Sequence, residues 1–253
     1  NFKNPFITNY EIRKEVNTGL RTKLIHQQKF NNVQLKNIIG FEWLHNSSKI
    51  DNYGNRNGVA DTLQFKDVVK ANQWFAFVQT QISFAKFIVS AGISFNEQLY
   101  KYKRVSSISF DNYLTASSKI IATPRVSLLY KINNQLSLYS IAAKGFSAPS
   151  LAEIRPSDGN FYSNLQAEYG WNFEIGIKGN ILKNTIQFDF TYYHFKLQNA
   201  IVRRNNNAGS EYFINTGSTL QQGFEATINA KIFERTKSFF TSLNVSNSYS
   251  YQP

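Results

Sequence analysis

The chain has 253 residues, no cysteine, no methionine and a formal net charge of +12. This length allows one large domain or two small ones, and the lack of cysteine excludes disulfides, thiolate metal sites and cysteine nucleophiles. The basic residues are scattered along the chain, without the concentrated run typical of nucleic-acid-binding arms, so we expect no nucleic-acid partner. Because the chain begins at Asn1 and lacks methionine, we expect it to be an internal segment of a longer protein.

Aromatic residues make up 15% of the chain, with 22 Phe and 14 Tyr. Mean hydropathy is nevertheless negative, at −0.37. No window approaches the roughly 18 apolar residues that a membrane-spanning helix requires. This composition favours β-strands with one apolar face and one polar face.

Apolar and polar residues alternate with a period of two along most of the chain, which indicates β-strands. Residues 186–192 are the clearest case, since Ile, Phe, Phe and Tyr alternate with Gln, Asp and Thr. The pattern predicts strands near 16–29, 33–48, 69–82, 87–103, 120–132, 135–147, 166–179, 185–203, 211–231 and 238–251. Several are longer than a globular strand of about 5–6 residues and suit a tilted transmembrane strand of roughly 9–11 residues or more.

Short and long connections alternate between the predicted strands. We expect long links near 49–68, 104–119, 148–165 and 204–210, with short turns between them. Outer-membrane barrels combine tight periplasmic turns with longer extracellular loops in this way. The predicted fold is therefore an all-β, antiparallel up-and-down transmembrane β-barrel. Residues 1–253 would be part of one barrel domain, about ten strands of a larger barrel without its plug. A soluble all-β sandwich or barrel is the alternative.

Residues 120–230 resemble the barrel of TonB-dependent outer-membrane receptors of the iron–siderophore type. Residues 145–153, GFSAPSLAE, are similar to the family's "GF-x-APS-L-x-E", although Ser147 stands where the family commonly has Arg. Residues 164–168, 172–178 and 214–225 resemble "NL-x-PE", "N-x-E-x-G-x-K" and "x-N-x-G…x-G-x-E", with Ala167 in place of the usual Pro. The matching positions are Gly145, Phe146, Ala148, Pro149, Ser150, Glu168, Glu174, Gly176, Asn215, Gly217, Gly223 and Glu225.

The resemblance implies a multi-pass protein of the Gram-negative outer membrane, with about 22 strands closed around a plug. It implies import of a ferric siderophore or similar chelate, powered by TonB through the plug region, and contact with outer-membrane lipid or lipopolysaccharide. Within the scaffold, we expect Gly145, Gly176 and Gly223 to let strands bend or approach other backbone closely. Glu174 and Glu225 are expected to face the lumen.

A receptor for a bulky, often anionic chelate would supply aromatic surface and positive charge. Candidates in or beside the long links are Arg104, Arg155, Phe161, Tyr162, Arg203, Arg204 and Tyr212. Period-two counting also places a set of basic residues in the lumen, where they would pair with a plug or bind ligand: Arg21, Lys23, Lys36, Lys131, Lys178 and Lys231. Aromatic residues predicted for the membrane-interface girdles are Trp43, Trp74, Tyr130, Tyr139 and Tyr192.

The sequence contains no pattern typical of catalysis. His26, His45 and His194 have neither metal-ligand spacing nor a nucleophile motif around them, and no phosphate-binding glycine run precedes a helix. We therefore expect no catalytic residue, no bound metal and no cofactor. Two other transport functions stay open: a SusC-like glycan importer of the same superfamily, and a passive porin-like barrel.

Overall fold

The computed structural model describes residues 9–106, 112–156, 160–182, 184–207, 209, 211–234 and 239–253. These residues form an 11-stranded antiparallel sheet in which consecutive strands are neighbours, except that the short β5 pairs beside β4 while β4 continues to β6. The described elements are β1 (Asn9–Phe30), β2 (Val33–Arg56), β3 (Val59–Phe84), β4 (Phe87–Arg104), β5 (Leu114–Ser117), β6 (Ile121–Lys131), β7 (Leu136–Ser147), α1 (Leu151–Ile154), β8 (Glu168–Ile181), β9 (Ile186–Asn205), β10 (Glu211–Glu234) and β11 (Ser242–Tyr251). The predicted up-and-down antiparallel architecture is confirmed, with one more strand than predicted.

The sheet is strongly curved. One cavity is lined by Glu11 of β1 and Phe213 of β10, which lie near opposite ends of the strand order. In a flat sheet those strands would stand roughly 40 Å apart, at about 4.8 Å per strand. The face that carries Glu11 and Phe213 is therefore concave, and the sheet follows the wall of an incomplete barrel. Within the described residues, β1 and β11 each pair with one neighbour only.

The apolar rows of the sequence lie on the convex face. Leu24, Ile175 and Phe224 are 67%, 60% and 57% exposed, respectively, and residues paired across strands share a face. The register places Ile175 opposite Tyr192, and Tyr192 opposite Phe224, so one apolar row crosses β8, β9 and β10. Such a continuous exposed apolar surface suits contact with hydrocarbon, as the alternation predicted.

Three predicted long links are corrected by the structure, and one of them, 104–119, contains the short strand β5 (Leu114–Ser117). Residues 49–68 belong mostly to β2 and β3, which meet at a two-residue turn, Asn57-Gly58. Both turn residues have positive φ, +55° and +88°, as a type I′ hairpin requires. The alternation is lost in this region because each face mixes polar and apolar residues, as Ile50 and Asn52 do on the concave side. The predicted 204–210 link is also shorter, since β9 extends to Asn205 and β10 begins at Glu211.

The register confirms the predicted lumenal side for several charged residues. Arg21 lies opposite Glu42 on the concave face and forms a two-pronged ion pair with it, at 2.7 and 2.9 Å. Glu225 lies opposite Thr191, whose hydroxyl contacts the Tyr139 hydroxyl. The prediction of Tyr139 for the interfacial girdle is wrong. Its ring lies on the concave face, because residue 139 belongs to the alternate residues of β7 that point to the polar side of the sheet.

Gly176 provides the space that the Tyr139 ring occupies. The two residues are register partners on β8 and β7, and a Cβ at position 176 would overlap the ring. The Tyr139 hydroxyl then donates to Asp189 at 2.8 Å. Gly223 similarly permits close backbone approach, because a Cβ there would collide with the Tyr251 carbonyl oxygen. At Gly145, close approach does not explain the glycine, since no described atom lies within 4 Å of an added Cβ.

We predict that Gly176→Ala destabilises the barrel, while Gly145→Ala does not. The alanine at 176 forces the Tyr139 ring away from Asp189, and overpacking of this kind costs about 1–3 kcal/mol. Urea unfolding of the full-length protein in detergent, followed by tryptophan fluorescence, measures the difference. Equal midpoints for the two variants would contradict the packing role assigned to Gly176.

Candidate functional site

The described parts of the long link between β7 and β8, residues 148–156 and 160–167, fold onto the concave face instead of standing away from the sheet. Leu151 and Phe161 pack against a buried cluster of Ile50, Val69 and Tyr102. The Phe161 ring stacks on Tyr102 with centroids 5.0 Å apart and planes 9° apart. The link therefore forms a second layer over β2–β4 at the end of the sheet opposite the short turns.

A buried carboxylate holds this link to the sheet. Asp67 of β3 has a fully buried side chain, and its Oδ2 accepts from Nε of Arg155 at 2.8 Å. Its Oδ1 accepts from Nε of Arg104 and the hydroxyl of Tyr102, both at 3.0 Å. Two guanidiniums and one phenol thus neutralise and hydrogen-bond the buried charge, without which its burial would be strongly unfavourable. We call Asp67, Tyr102, Arg104 and Arg155 the Asp67 cluster.

The GFSAPSLAE motif explains how the chain enters this link. Ser150 caps α1 by accepting from the Glu153 backbone N–H at 3.3 Å, while the Glu153 carboxylate accepts from the Ser150 N–H at 2.6 Å. This reciprocal capping box satisfies two backbone donors. The carbonyl of Pro149 accepts from the Tyr100 hydroxyl at 2.9 Å. The Pro–Ser…Glu spacing therefore builds a local turn that aims the following residues, Ile154 and Arg155, at the sheet.

A second pair of motif residues fixes the chain where it leaves the link. The Asn215 amide donates to the carbonyls of Gln166 and Asn199, both at 2.8 Å, and its oxygen accepts from the Gln166 N–H at 2.7 Å. The Glu168 carboxylate accepts from the Ile201 N–H at 2.6 Å. Asn215 and Glu168 thus have a structural role. Their side chains hydrogen-bond to backbone groups of the link and β9.

Between the link and the two ends of the curved sheet lies an open cavity of about 270 Å³. It is lined by Glu11, Arg13, Ile50, Asn52, Phe65, Leu151, Ala152, Arg155, Pro156, Glu211 and Phe213. Asn52 is 2% exposed, and its Oδ1 has no hydrogen-bond partner among the described residues. The cavity therefore has apolar and aromatic walls and charged groups of both signs. It also contains one hydrogen-bond acceptor, Oδ1 of Asn52, without a partner among the described residues.

The predicted candidate residues fall into two groups. Arg104, Arg155 and Phe161 come together at the Asp67 cluster, and the Arg155 side chain is only 7% exposed. The others lie around the ends of β9 and β10, where the Tyr162 and Tyr212 rings stack at 6.4 Å. Exposed Arg203 forms an ion pair with Glu211, at 2.8 Å. Arg204 is also exposed.

Sequence reasoning missed Asp67 and Asn52 because both fall inside a stretch predicted to be a link. The Asn57-Gly58 dipeptide was the available signal, since Asn-Gly between strands predicts a hairpin. Correct strand placement would have put Asp67 on the same face as Arg104, its register partner. Opposite charges at partner positions then indicate an ion pair.

The cluster also perturbs Tyr102. Burial, followed by the negative charge of Asp67, raises the pKa of Tyr102 to about 12. The phenol therefore stays protonated and keeps donating to Asp67 across the physiological range. Among the described residues, no group of three or more His, Cys, Asp or Glu side chains is arranged to hold a metal ion. No described helix is long and apolar enough to cross a membrane.

Residues 3–253 match the family model described as TonB dependent receptor-like, beta-barrel. The chain belongs to this family. Its members are outer-membrane transport proteins, and the match extends over the N-terminal strands, which the sequence motifs do not cover. Residues Glu11 and Asp67 of the site therefore lie in the same family domain as the motif residues.

Individual relatives are siderophore and metal receptors. The metal-pseudopaline receptor CntO of Pseudomonas aeruginosa is 24% identical over 163 residues, which are 62% of this chain and 22% of that protein. The alcaligin outer-membrane receptor FauA of Bordetella pertussis gives a TM-score of 0.65 at 15% identity, covering 97% of this chain and 41% of FauA. The siderophore receptor PiuA of Acinetobacter baumannii gives 0.69 at 14%, covering 96% and 39%. The chain thus spans less than half of these relatives.

We predict that Asp67→Asn releases the link from the concave face. Removing one partner of a buried ion pair costs about 3–5 kcal/mol, because the other charges stay buried without compensation. Hydrogen exchange of the Leu151–Ile154 amides in the full-length protein should become faster. Asp51→Asn is the matched control, because Asp51 forms a longer, partly exposed contact with Lys66, at 3.8 Å. Unchanged exchange in Asp67→Asn would contradict the anchoring role.

Proposed function

We propose that the full-length protein binds a ferric siderophore or a similar metal chelate at the mouth of the barrel and imports it. One observation carries this proposal. The first part of the β7–β8 link, residues 148–156, is anchored inside the concave face, where it forms the mixed aromatic and charged cavity with strands from both ends of the sheet. A ligand entering from this end would meet that cavity first.

The cavity offers flat apolar surface and paired charges to a partly aromatic chelate. Phe65 and Phe213 supply the apolar surface. Arg13 is paired with Glu11 and Arg155 with Asp67. Asn52 offers an acceptor for a hydroxyl or amide donor. The cavity is thus able to contact both the charged and the flat parts of such a ligand.

The predicted candidate residues take two roles in this proposal. Arg104 and Arg155 support the site through Asp67, since both guanidiniums donate to its carboxylate. Direct ligand contact is assigned to the residues around the ends of β9 and β10, which are exposed or half-exposed: Tyr162, Arg203, Arg204 and Tyr212.

We further propose that import depends on TonB acting through a plug region, and that the protein catalyses no reaction. The supporting facts are its family and the names of its relatives, which are receptors for siderophores and for a metal complex. An iron-siderophore receptor needs no metal ligands of its own, since the siderophore already chelates the iron. Placement in the Gram-negative outer membrane is part of this proposal and is supported by the same family membership.

We predict that deleting the receptor impairs growth on iron-limited medium and abolishes uptake of its radiolabelled ferric chelate. Arg203→Gln combined with Arg204→Gln should lower chelate affinity, because charge attraction at the mouth is lost. Lys29→Gln combined with Lys86→Gln is the matched control, since both lysines are exposed and lie at the end of the sheet with the short turns. Uptake assays with the purified ferric chelates of the source bacterium provide the measurement.

The same assays separate the alternatives. Normal iron-limited growth with impaired growth on an oligosaccharide would replace the chelate by a glycan. Uptake that persists in a strain without TonB would indicate a passive porin-like barrel. Either result would contradict the proposed function.

A further inference from the structure

The charges around the cavity of about 270 Å³, which we call the mouth cavity, are already paired with one another. Arg13 contacts Glu11 at 2.8 Å and Glu15 at 3.4 Å. Arg155 contacts Asp67 at 2.7 Å and Glu11 at 3.8 Å. Each arginine that lines the cavity therefore has a carboxylate partner within the protein itself.

The network of ion pairs around the mouth cavity has no net charge among the described residues. Glu211 pairs with Arg203 at 2.8 Å, and Asp67 pairs with Arg104 at 3.0 Å. The network thus contains four arginines and four carboxylates: Arg13, Arg104, Arg155, Arg203, Glu11, Glu15, Asp67 and Glu211. The guanidiniums of Arg104 and Arg155 also lie over the Phe65 ring, 4.4 and 5.3 Å from its centroid. A charged ligand group entering this network would leave water without gaining a free counterion, which is unfavourable.

Asn52 provides a hydrogen-bond acceptor that this network leaves unused. Its side chain lines the mouth cavity and is 2% exposed, and its Oδ1 has no partner among the described residues. Its register partners are Glu11 of β1 and Phe65 of β3, and Ile50 precedes it on the same face. Phe65 and Ile50 have no polar side-chain atom, and an ionised carboxylate only accepts. None of these neighbours is therefore able to donate to Oδ1.

Another asparagine of β2 shows how such a side chain is normally satisfied. Asn46 lies on the same face, six residues earlier. Its Nδ2 donates to Oδ1 of Asn17 at 2.7 Å, and its Oδ1 accepts from the Ser48 hydroxyl at 2.9 Å. A buried acceptor without a partner lowers the stability of a folded protein, and such groups are rare. Asn52 is thus unfavourable for the ligand-free barrel, as expected of a residue whose donor is supplied by a ligand.

We propose that Asn52 selects the imported chelate by accepting a hydrogen bond from an uncharged donor of the ligand, an amide N–H or a hydroxyl. The inference rests on the proposed function, since the ligand is the same chelate. Oδ1 is closed off from solvent, so the donor reaches it after a rotation of the Asn52 amide toward the cavity. A flat group beside the donor then packs on Phe213, which lines the same cavity from β10. Charged parts of the chelate stay toward the rim, where Arg204 is exposed.

The same chemistry disfavours other groups at this position of the ligand. A ketone is only an acceptor and would leave Oδ1 of Asn52 without a partner. A carboxylate would add a negative charge next to Glu11, whose arginine partners are already neutralised. Sites built around a buried polar group reject analogues that lack the matching group. Asn52 therefore distinguishes chelates that carry the same metal and differ in one terminal group.

The test measures binding of three synthetic ferric chelates to the full-length protein in detergent, by quenching of tryptophan fluorescence. The chelates share one aromatic hydroxamate scaffold and end in a carboxamide, a methyl ketone or a carboxylate. We expect the parent to bind the carboxamide about tenfold more tightly than the other two. Asn52→Leu keeps a similar shape without the acceptor, so it should bind the carboxamide and the ketone with equal affinity.

Asn46→Leu is the matched control, because Asn46 lies on the same face of the same strand and has partners for both of its amide groups. This variant should keep the preference for the carboxamide and unfold at a lower temperature than the parent. Asn52→Leu should unfold at the same or a higher temperature, because it removes an unpaired buried acceptor. A lower unfolding temperature for Asn52→Leu would show a structural role for Asn52 and overturn the inference.

Three binding results would also overturn it: no binding of the carboxamide chelate, equal affinity of the parent for all three chelates, or a carboxamide preference that persists in Asn52→Leu. Uptake of radiolabelled ferric chelates by cells is measured in parallel and reports on import. Absent uptake together with a preference that depends on Asn52 would contradict the proposed import and support the selection by Asn52. Normal uptake without that preference would do the reverse.

Discussion

Hydrocarbon offers no hydrogen-bond partner to a peptide group, and this constraint determines the architecture. Every strand that crosses the membrane must satisfy its N–H and C=O groups on neighbouring strands. Consecutive antiparallel pairing does this with tight turns, as between β1 and β2 or β3 and β4. The period of two then follows, because one side of each strand meets lipid and the other meets the interior. Ile175 and Glu174 are adjacent in sequence, but Ile175 faces the lipid side and Glu174 faces the interior.

Beyond the membrane, water can hydrogen-bond to the backbone, so this constraint is relaxed. The strands there form a different kind of core. β2 and β3 continue as polar strands up to Asn57-Gly58, and their concave side carries its own small core of Ile50, Val69 and Tyr102. Asp67 sits at the edge of this core and joins the β7–β8 link to it through Arg155. One buried carboxylate thus couples the strands near one end of the sheet to the motif-bearing link near its middle. The cavity shape depends on that connection.

The sequence predicted the features that depend on local alternation and missed those that depend on distant partners. Rows such as 186–192 indicated the correct faces because lipid contact makes every second residue apolar. The strand prediction failed for residues 49–68 because these strands have no lipid-facing side and mix polar and apolar residues on both faces, so Asp67 was not recognised as a strand residue. Tyr139 was assigned to the interfacial girdle because it is a tyrosine. Its place in the alternation of β7, and the space left by the missing side chain of Gly176, put its ring on the concave face instead. The GFSAPSLAE motif identified the family, but its capping and anchoring contacts depend on the sheet that lies beneath it.

The orientation of alternate residues in β8 tests the account most directly. In a cysteine-free background, single cysteines at positions 171, 172, 173, 174, 175 and 177 would carry nitroxide spin labels in the full-length protein in bilayers. We predict that labels at 171, 173, 175 and 177 collide preferentially with oxygen, which dissolves in lipid. Labels at 172 and 174 should collide preferentially with a water-soluble nickel complex. Loss of this period-two alternation, or its inversion, would contradict a lipid-facing convex surface.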